Sequence, residues 1–369
     1  MSRAWNVALA HDWLNGMRGG ERCLDLICQA FPQADLYTLL YRPEQVSAAI
    51  RNRRVHVSGL QRVPGFLNHY RWFLPLFPLA IESFRLPAGT DLVISTSHCA
   101  AKGIRPPPGA RHLCYCFTPM RYAWALPEAY FGRRGLKRAL IDRMLVRLRR
   151  WDRTASARVD RFVAISRHVQ ARIQAAYGRE AAVVYPPVAT RFFTPDERGG
   201  HDGYDLAVSA LVPYKRLDLA VQAYAQTGFS LKIAGVGTEL AALKKQAAPN
   251  VEFLGRVSDE AVRDLYRRCR FLVFPGEEDF GIVPLEAQAC GKPVVAYAKG
   301  GLLETVLAGT TGVFFREQTA EALAEAVARA EEIPWDAVAI RRHAEQFDEA
   351  RFLAGIRAEI DHLMAGRTP

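Results

Sequence analysis

The sequence predicts an α/β protein built from two doubly wound parallel-sheet domains, 1–190 and 191–345, followed by a C-terminal helix within 346–369. Three observations carry this. Short apolar runs alternate with helix-length segments in both halves of the chain, the pattern of strands covered on both faces and joined by helical crossovers. The 369 residues exceed what a single hydrophobic core commonly organises. Between the two alternating runs stands YPPVATRFFTPDERGGHDG, 185–203, whose proline, glycine and charge mark a linker.

In the first half, WNVALA (5–10), DLVISTS (91–97), RHLCYCF (111–117) and RFVAIS (161–166) read as buried strands. HDWLNGMRGG leaves the first of them and leads into a helix from Glu21 to about Phe31. In the second half, YDLAVSA (204–210), SLKIAGV (230–236), VEFLG (251–255), FLVFP (271–275) and PVVAYA (293–298) are separated by helix-length segments. The tail from Phe347 to about Met364 reads as one more helix, free to pack back on the first domain.

Composition narrows the function without choosing it. Half of the residues are hydrophobic and 24% are charged, as in soluble domains. The net charge of +11 favours an anionic partner: a nucleotide or phosphate substrate, nucleic acid, or an acidic membrane surface. The N-terminal MSRAWNVALAHDW shows no long apolar core and no small-residue cleavage site, so a cytoplasmic location without a signal peptide is expected. The longest apolar run, FLPLFPLAI at 73–81, is broken by two prolines and falls far short of the roughly 20 residues of a spanning helix. Seven scattered cysteines fit reduced core thiols, and Cys114-x-Cys116 does not have a zinc-site spacing.

The stretch EEDFGIVPLEAQACGKPVVAY, 277–297, carries the chemistry. It follows a strand, and open parallel sheets bind ligands outside the carboxyl ends of their strands. Pro284 suits the first turn of a helix and Gly291 its end. The amides of Gly281, Ile282 and Val283 then open a helix N-terminus, a site suited to phosphate. Gly281 lets backbone approach a ligand closely. Glu286, placed in the first turn, can accept two neighbouring hydroxyls such as those of a ribose. It can equally serve only to complement the helix dipole.

The spacing of Glu278 and Glu286 in E-D-F-G-I-V-P-L-E resembles the signature of family-4 retaining glycosyltransferases of the GT-B fold. SALVPYKRLDLAVQAY (209–224) is similar to that family's phosphate loop, FLGRVSDEAVRDLYRRC (253–269) to its base-binding turn, and KPVVAYAKGGLLETV (292–306) to the loop after the next strand. HDWLNGMRGGERCL, ISTSHCAAKG, YCFTPMRYAW and YPPV resemble a mannosyltransferase-like branch that builds bacterial polysaccharides. The resemblance implies two Rossmann-like domains facing across a cleft, with the acceptor on the first and the nucleotide-sugar on the second. It implies that Glu286 binds the ribose and that Glu278 sits by the donor sugar as a catalytic residue. Phe280 and Gly281 would face the sugar hydroxyls, and Lys215, helped by Arg216, would neutralise the departing diphosphate. Arg256 and Val257 would meet the base, and Gly19 and Gly20 the donor phosphates. The reaction implied is a metal-independent, retaining transfer of a hexose, mannose from GDP-mannose, to a lipid-linked or polysaccharide acceptor. No cofactor is implied, because the donor is a co-substrate. Two positions depart from the family pattern: Ala210 where many relatives carry Arg, and Phe117 where many carry His. The second leaves His98, and behind it His11, as the polar candidates beside the reacting sugar.

RRGLKRALIDRMLVRLRRWDR, 133–153, holds nine Lys/Arg against two Asp, with Leu136, Leu140, Met144, Leu148 and Trp151 on one helical face. It reads as a peripheral contact with the inner, anionic face of a membrane or as an ordinary basic surface helix. LNHYRWFLPLFPL (67–79) reads as an interfacial loop or as core. Three other functions stay open at this level: a sugar-nucleotide 2-epimerase of the same fold, an inactive nucleotide-sugar binder and a nucleic-acid binder. Nucleic acid is not the expected partner, since no nucleic-acid-binding motif accompanies the charge.

Overall fold

The computed structural model describes residues 5–124 and 136–365. The chain forms two compact units, Met1–Tyr185 with Phe352–Pro369, and Pro186–Arg351. In the first, seven strands, β1 (Val7–His11), β2 (Asp35–Thr38), β3 (Val55–Val57), β4 (Leu92–Ser97), β5 (Arg111–Cys116), β6 (Arg161–Ala164) and β7 (Ala181–Val183), pair in the order β3-β2-β1-β4-β5-β6-β7. In the second, six strands, β8 (Tyr204–Val208), β9 (Ser230–Ala234), β10 (Val251–Gly255), β11 (Leu272–Phe274), β12 (Val294–Tyr297) and β13 (Gly312–Phe315), pair as β10-β9-β8-β11-β12-β13. The named strand pairings in both sheets are parallel.

In both sheets the strand order reverses once, between β1 and β4 and between β8 and β11. At such a switch point the two flanking loops splay apart beyond the carboxyl ends, which is where doubly wound sheets bind ligands. The expected strands are all present. Four more, β2, β3, β7 and β13, have no counterpart in the sequence reading. They are only three or four residues long, and β3, β7 and β13 lie at sheet edges, where burial on one face leaves a weaker apolar run.

The last helix is Glu349–Met364, and from Phe352 on it belongs to the first unit. Phe352 packs its ring 5.5 Å from Tyr115, Glu359 is ion-paired with Arg161, and Gly355 lies so close to Val184 that a Cβ there would approach to 2.8 Å. All seven cysteines are buried and unbridged, as their scatter suggests.

The basic helix spans Leu136–Ser156; residues 133–135 and the side chain of Leu136 lie outside the described residues. Its apolar side is used by the unit's own core. Leu145 and Leu148 are buried, and Ile141, Met144 and Trp151 pack against the same cluster. Trp151 Nε1 also donates to Glu82 at 2.8 Å. Of the expected membrane-facing residues whose side chains are described, Leu140 alone stays exposed, because the helix turns the others inward against the core. Among the described residues no helix is long and apolar enough to cross a membrane.

Candidate active site

At the switch point of the second unit, the loop after β8 and the loop after β11 meet. Pro213–Lys215 forms one short turn, and the ammonium of Lys215 is ion-paired with Glu278. Both side chains are largely withdrawn from water, at 13% and 19% exposure. Lys215 Nζ also lies 5.4 Å from the rings of Tyr214 and Phe274. The backbones touch as well: a Cβ on Gly276 would stand 2.9 Å from Lys215 Cα, so glycine is what lets the loops close together.

Arg216 does not accompany its neighbour. It adopts a left-handed conformation, φ 54°, and begins the helix Leu217–Thr227. Its guanidinium binds both oxygens of Asp218, at 3.1 and 3.0 Å, and Gln318 Oε1 at 3.1 Å. Of the two cations expected beside the diphosphate, Lys215 stands at Glu278 and Arg216 at Asp218 and Gln318. The backbone twist at Arg216 and a carboxylate two residues on direct its charge into a structural pair.

The acidic loop is clamped from the far side by the loop after β12. Gly301 N donates to Glu278 O at 2.8 Å. A Cβ on Gly300 would lie 2.3 Å from that same oxygen, and one on Gly301 would lie 2.4 Å from Phe280 Cα. Lys299 pairs with Glu277 at 3.0 Å. Phe280 is buried, its ring 5.8 Å from Phe347. Gly281 caps the helix Ile282–Ala289 at φ 106°, a conformation that glycine supplies without strain. The first amides of that helix, Ile282 and Val283, have no preceding turn to bond. Pro284 lies in the first turn and Gly291 just past the end, as expected. Glu286 lies just past the first turn instead of within it, as the fifth residue of a helix that starts at Ile282. There it is 7% exposed and accepts from Tyr266 OH at 3.1 Å. Tyr266, on the helix Asp259–Arg268, orients this carboxylate and was not singled out from sequence.

Arg256 and Val257 follow β10 at the same carboxyl edge, and Arg256 is exposed. The loops after β8, β9 and β10 interlock beneath them. Leu211 N donates to Val236 O at 3.0 Å and Gly235 N to Gly255 O at 2.7 Å. Gly235 and Gly237 have no room for a Cβ against Ser209 and Leu211.

In the first unit a second cluster forms at the switch point of β1 and β4. Asp12 is fully buried. Its carboxylate accepts four amides of the loop after β4: His98 and Cys99 at 2.6 and 2.9 Å, Ala100 and Ala101 at 2.5 and 2.7 Å. It also lies 3.1 Å from His98 Nδ1. Burial raises the carboxyl's pKa, but the two neighbouring imidazoles and the amides more than offset this and hold it below its ordinary value. Burial lowers His98 against the pull of Asp12. The His98 ring, facing the Asp12 carboxylate on one side, is edge-on to Trp13 at 4.4 Å. His11 is not part of this pair. Its Nδ1 shares a hydrogen with Thr96 Oγ1 at 2.7 Å, and burial lowers it to about 4. Adjacent residues at a strand end diverge, so Asp12 reaches a loop 86 positions away rather than its neighbour. Gly19 and Gly20 open the helix Gly19–Ala30, and a Cβ on Gly20 would meet the Phe117 ring at 3.3 Å. Next to them Glu21 is buried, and desolvation raises its pKa to about 7.

Comparison with known proteins supplies the family. Residues 17–192 match the family model described as Glycosyltransferase Family 4, and residues 198–349 match Glycosyl transferases group 1. The chain belongs to glycosyltransferase family 4. This family 4 glycosyltransferase is 29% identical over 194 residues to an uncharacterized glycosyltransferase of Methanocaldococcus jannaschii, covering 51% of this chain and 54% of the relative. It is 32% identical over 193 residues to the GDP-mannose-dependent alpha-(1-6)-phosphatidylinositol monomannoside mannosyltransferase of Mycolicibacterium smegmatis, covering 44% and 50%. The matches therefore span about half the length of these curated relatives. Among solved structures, Anabaena HepE in complex with UDP-glucose superimposes with a TM-score of 0.71 at 19% identity, covering 96% of this chain and 99% of that one. The two units of this glycosyltransferase have the GT-B fold.

Proposed function

We propose that this family 4 glycosyltransferase moves mannose from GDP-mannose to a hydroxyl of a lipid-linked glycan, with retention of anomeric configuration and without a metal. The observation that carries the reading is the ion pair of Lys215 with Glu278 at the second unit's switch point, beside the N-terminus of Ile282–Ala289. In this reading the diphosphate takes the helix amides and the Lys215 ammonium. As the bond from the anomeric carbon to the β-phosphate oxygen breaks, its electron pair goes to that oxygen, and a fixed cation stabilises the growing charge more than it stabilises the ground state. The acceptor oxygen bonds to the anomeric carbon from the same face, and its proton passes to the departing phosphate. Glu278 holds the hexose, and Glu286, oriented by Tyr266, takes the ribose hydroxyls. Arg256 and Val257 are assigned to the base. His98, held by Asp12, is assigned to the acceptor side.

The name of the Mycolicibacterium smegmatis relative, with GDP-mannose as donor and phosphatidylinositol monomannoside as acceptor, supports both the donor and a lipid-linked acceptor. Such an acceptor puts the enzyme on the cytoplasmic face of a membrane. The test is a thermal-shift panel of GDP-mannose, UDP-glucose and ADP-glucose, since a ligand bound only by the folded state raises the melting temperature. GDP-mannose should give the largest shift, in EDTA as well as in buffer with magnesium. A panel without any shift sinks the reading; a larger shift with UDP-glucose sinks the donor. The anomeric configuration of the product, read by NMR, tests retention.

A further inference from the structure

The first unit carries a surface that the transfer reaction does not use. Residues 59–82 descend through a staircase of short helical turns: Gly59–Arg62, Phe66–His69, Tyr70–Leu76 and Phe77–Glu82. One side of the staircase, Phe66, Tyr70, Leu74, Phe77 and Ile81, is buried in the unit's core. In a surface helix the opposite side is ordinarily polar. Here it is apolar too: Trp72 is 76% exposed, Leu79 70%, Leu76 43%, Val63 39% and Leu67 37%. Trp72, Leu76 and Leu79, exposed along the turns Tyr70–Leu76 and Phe77–Glu82, make up most of this outward stripe. Apolar patches of this kind on a soluble unit mark a contact surface.

The charge around the stripe indicates what covers it. From Gln45 to Ile81 the sequence holds no acid, and Arg42 reaches the staircase, donating to Leu67 O at 3.1 Å and Asn68 Oδ1 at 3.0 Å. Arg62 and Arg71 are exposed at the stripe's edge, and the exposed His69 stacks on Trp72 at 4.5 Å. A tryptophan and leucines projecting between basic side chains match the layering of an anionic bilayer, whose acyl boundary takes the apolar groups while its headgroups take the cations. We propose that the Val63–Leu79 staircase seats this enzyme on an anionic lipid surface. The inference moves the membrane contact away from the basic helix Leu136–Ser156, whose Leu145 and Leu148 the core already holds. It rests on the function proposed above only in placing the acceptor in a membrane.

The experiment is co-sedimentation of the full chain with vesicles of phosphatidylcholine, with and without phosphatidylglycerol. The wild-type protein should bind the phosphatidylglycerol vesicles and bind them less in high salt. The double variant Trp72→Ser, Leu79→Ser should lose at least about tenfold in partitioning, with an unchanged melting temperature and unchanged GDP-mannose binding. The triple variant Arg143→Ala, Arg147→Ala, Arg150→Ala should lose less than the double variant. The proposal is overturned if the double variant partitions like wild type. It is overturned if wild type ignores phosphatidylglycerol, or if the triple variant loses more. It is equally overturned if wild type is a dimer that the double variant converts to monomer, which would make a second copy the occupant. Vesicle binding by a protein that binds no nucleotide-sugar would leave this inference standing and sink only the donor.

Discussion

Lys215 and Glu278 neutralise each other across the second unit's switch point, an ammonium from the loop after β8 against a carboxylate from the loop after β11. This contact joins the two motifs that the sequence presents 63 positions apart. Arg216 is held by Asp218 and Gln318, so Lys215 is the cation that stands at this contact. Lys215→Ala should lower kcat by about 100-fold or more, the scale of losing one preorganised charge at the developing anion. Glu278→Ala should abolish transfer while leaving nucleotide binding near wild type. Steady-state kinetics beside calorimetric GDP titration read both; wild-type kcat in either variant removes the pair from the mechanism.

Glu286 and Tyr266 act at the other end of the donor. Glu286→Ala should weaken GDP binding by about tenfold or more, the loss of charge-assisted hydrogen bonds. Tyr266→Phe keeps the carboxylate but frees its orientation, and should cost only about 1 kcal/mol. Titration calorimetry ranks the two, and a larger effect from Tyr266→Phe would contradict the assignment.

Gly301 tests whether the clamp positions the acidic loop. A methyl group there would stand 2.4 Å from Phe280 Cα, so Gly301→Ala must displace the turn between Glu278 and Phe280. Transfer should fall at least about tenfold, as misplaced catalytic groups cost, while the melting temperature moves by only a few degrees. Full activity in this variant would show that the turn tolerates the shift.

Asp12 tests the first unit's loop. Asp12→Asn supplies one acceptor oxygen where two now take four amides, and sets an NH2 group against two of them. It should destabilise the protein by about 3 kcal/mol, visible in urea denaturation. His98→Ala keeps the amide contacts; it should leave stability near wild type and reduce transfer by about 100-fold. If Asp12→Asn unfolds at the wild-type urea midpoint, the carboxylate does not hold the loop.

Acid should destabilise the fold in a defined window. Burial lowers His11 and His112 to about 4, while the unfolded chain titrates its imidazoles near 6.5. Between these values the unfolded state binds more protons, so this contribution is complete above pH 6.5 and is lost as pH falls toward 4. Glu21 works against it. Burial raises its pKa to about 7 from 4.5, so its contribution is lost as pH rises through that range. Glu21→Gln should therefore steepen the loss of stability between pH 6.5 and 4.5 by about one proton. Urea midpoints across pH measure this slope, and an unchanged slope would show that Glu21 titrates normally.

Much of this architecture was legible because doubly wound sheets write it locally. Strands buried on both faces appear as apolar runs, and Pro284, Gly281 and Gly291 announce a helix and its ends within a few residues. The weakest strands, β3, β7 and β13, left no such mark because sheet edges bury less. Tyr266, Gly300 and Gly301 lay inside stretches already noticed, yet nothing local distinguished them.

What the sequence determined by itself was the periodicity of both halves, the position of the ligand-facing loops and the residue types those loops carry. All of these depend on neighbours within about one helical turn or one strand. Tertiary structure alone decided the partnerships: Lys215 with Glu278, Arg216 with Asp218, Asp12 with a loop after β4, and Leu145 and Leu148 of the basic helix with the core. These contacts join groups on different elements or turn on a single backbone dihedral. Their geometry follows from strand order and loop packing, which no short stretch of residues encodes.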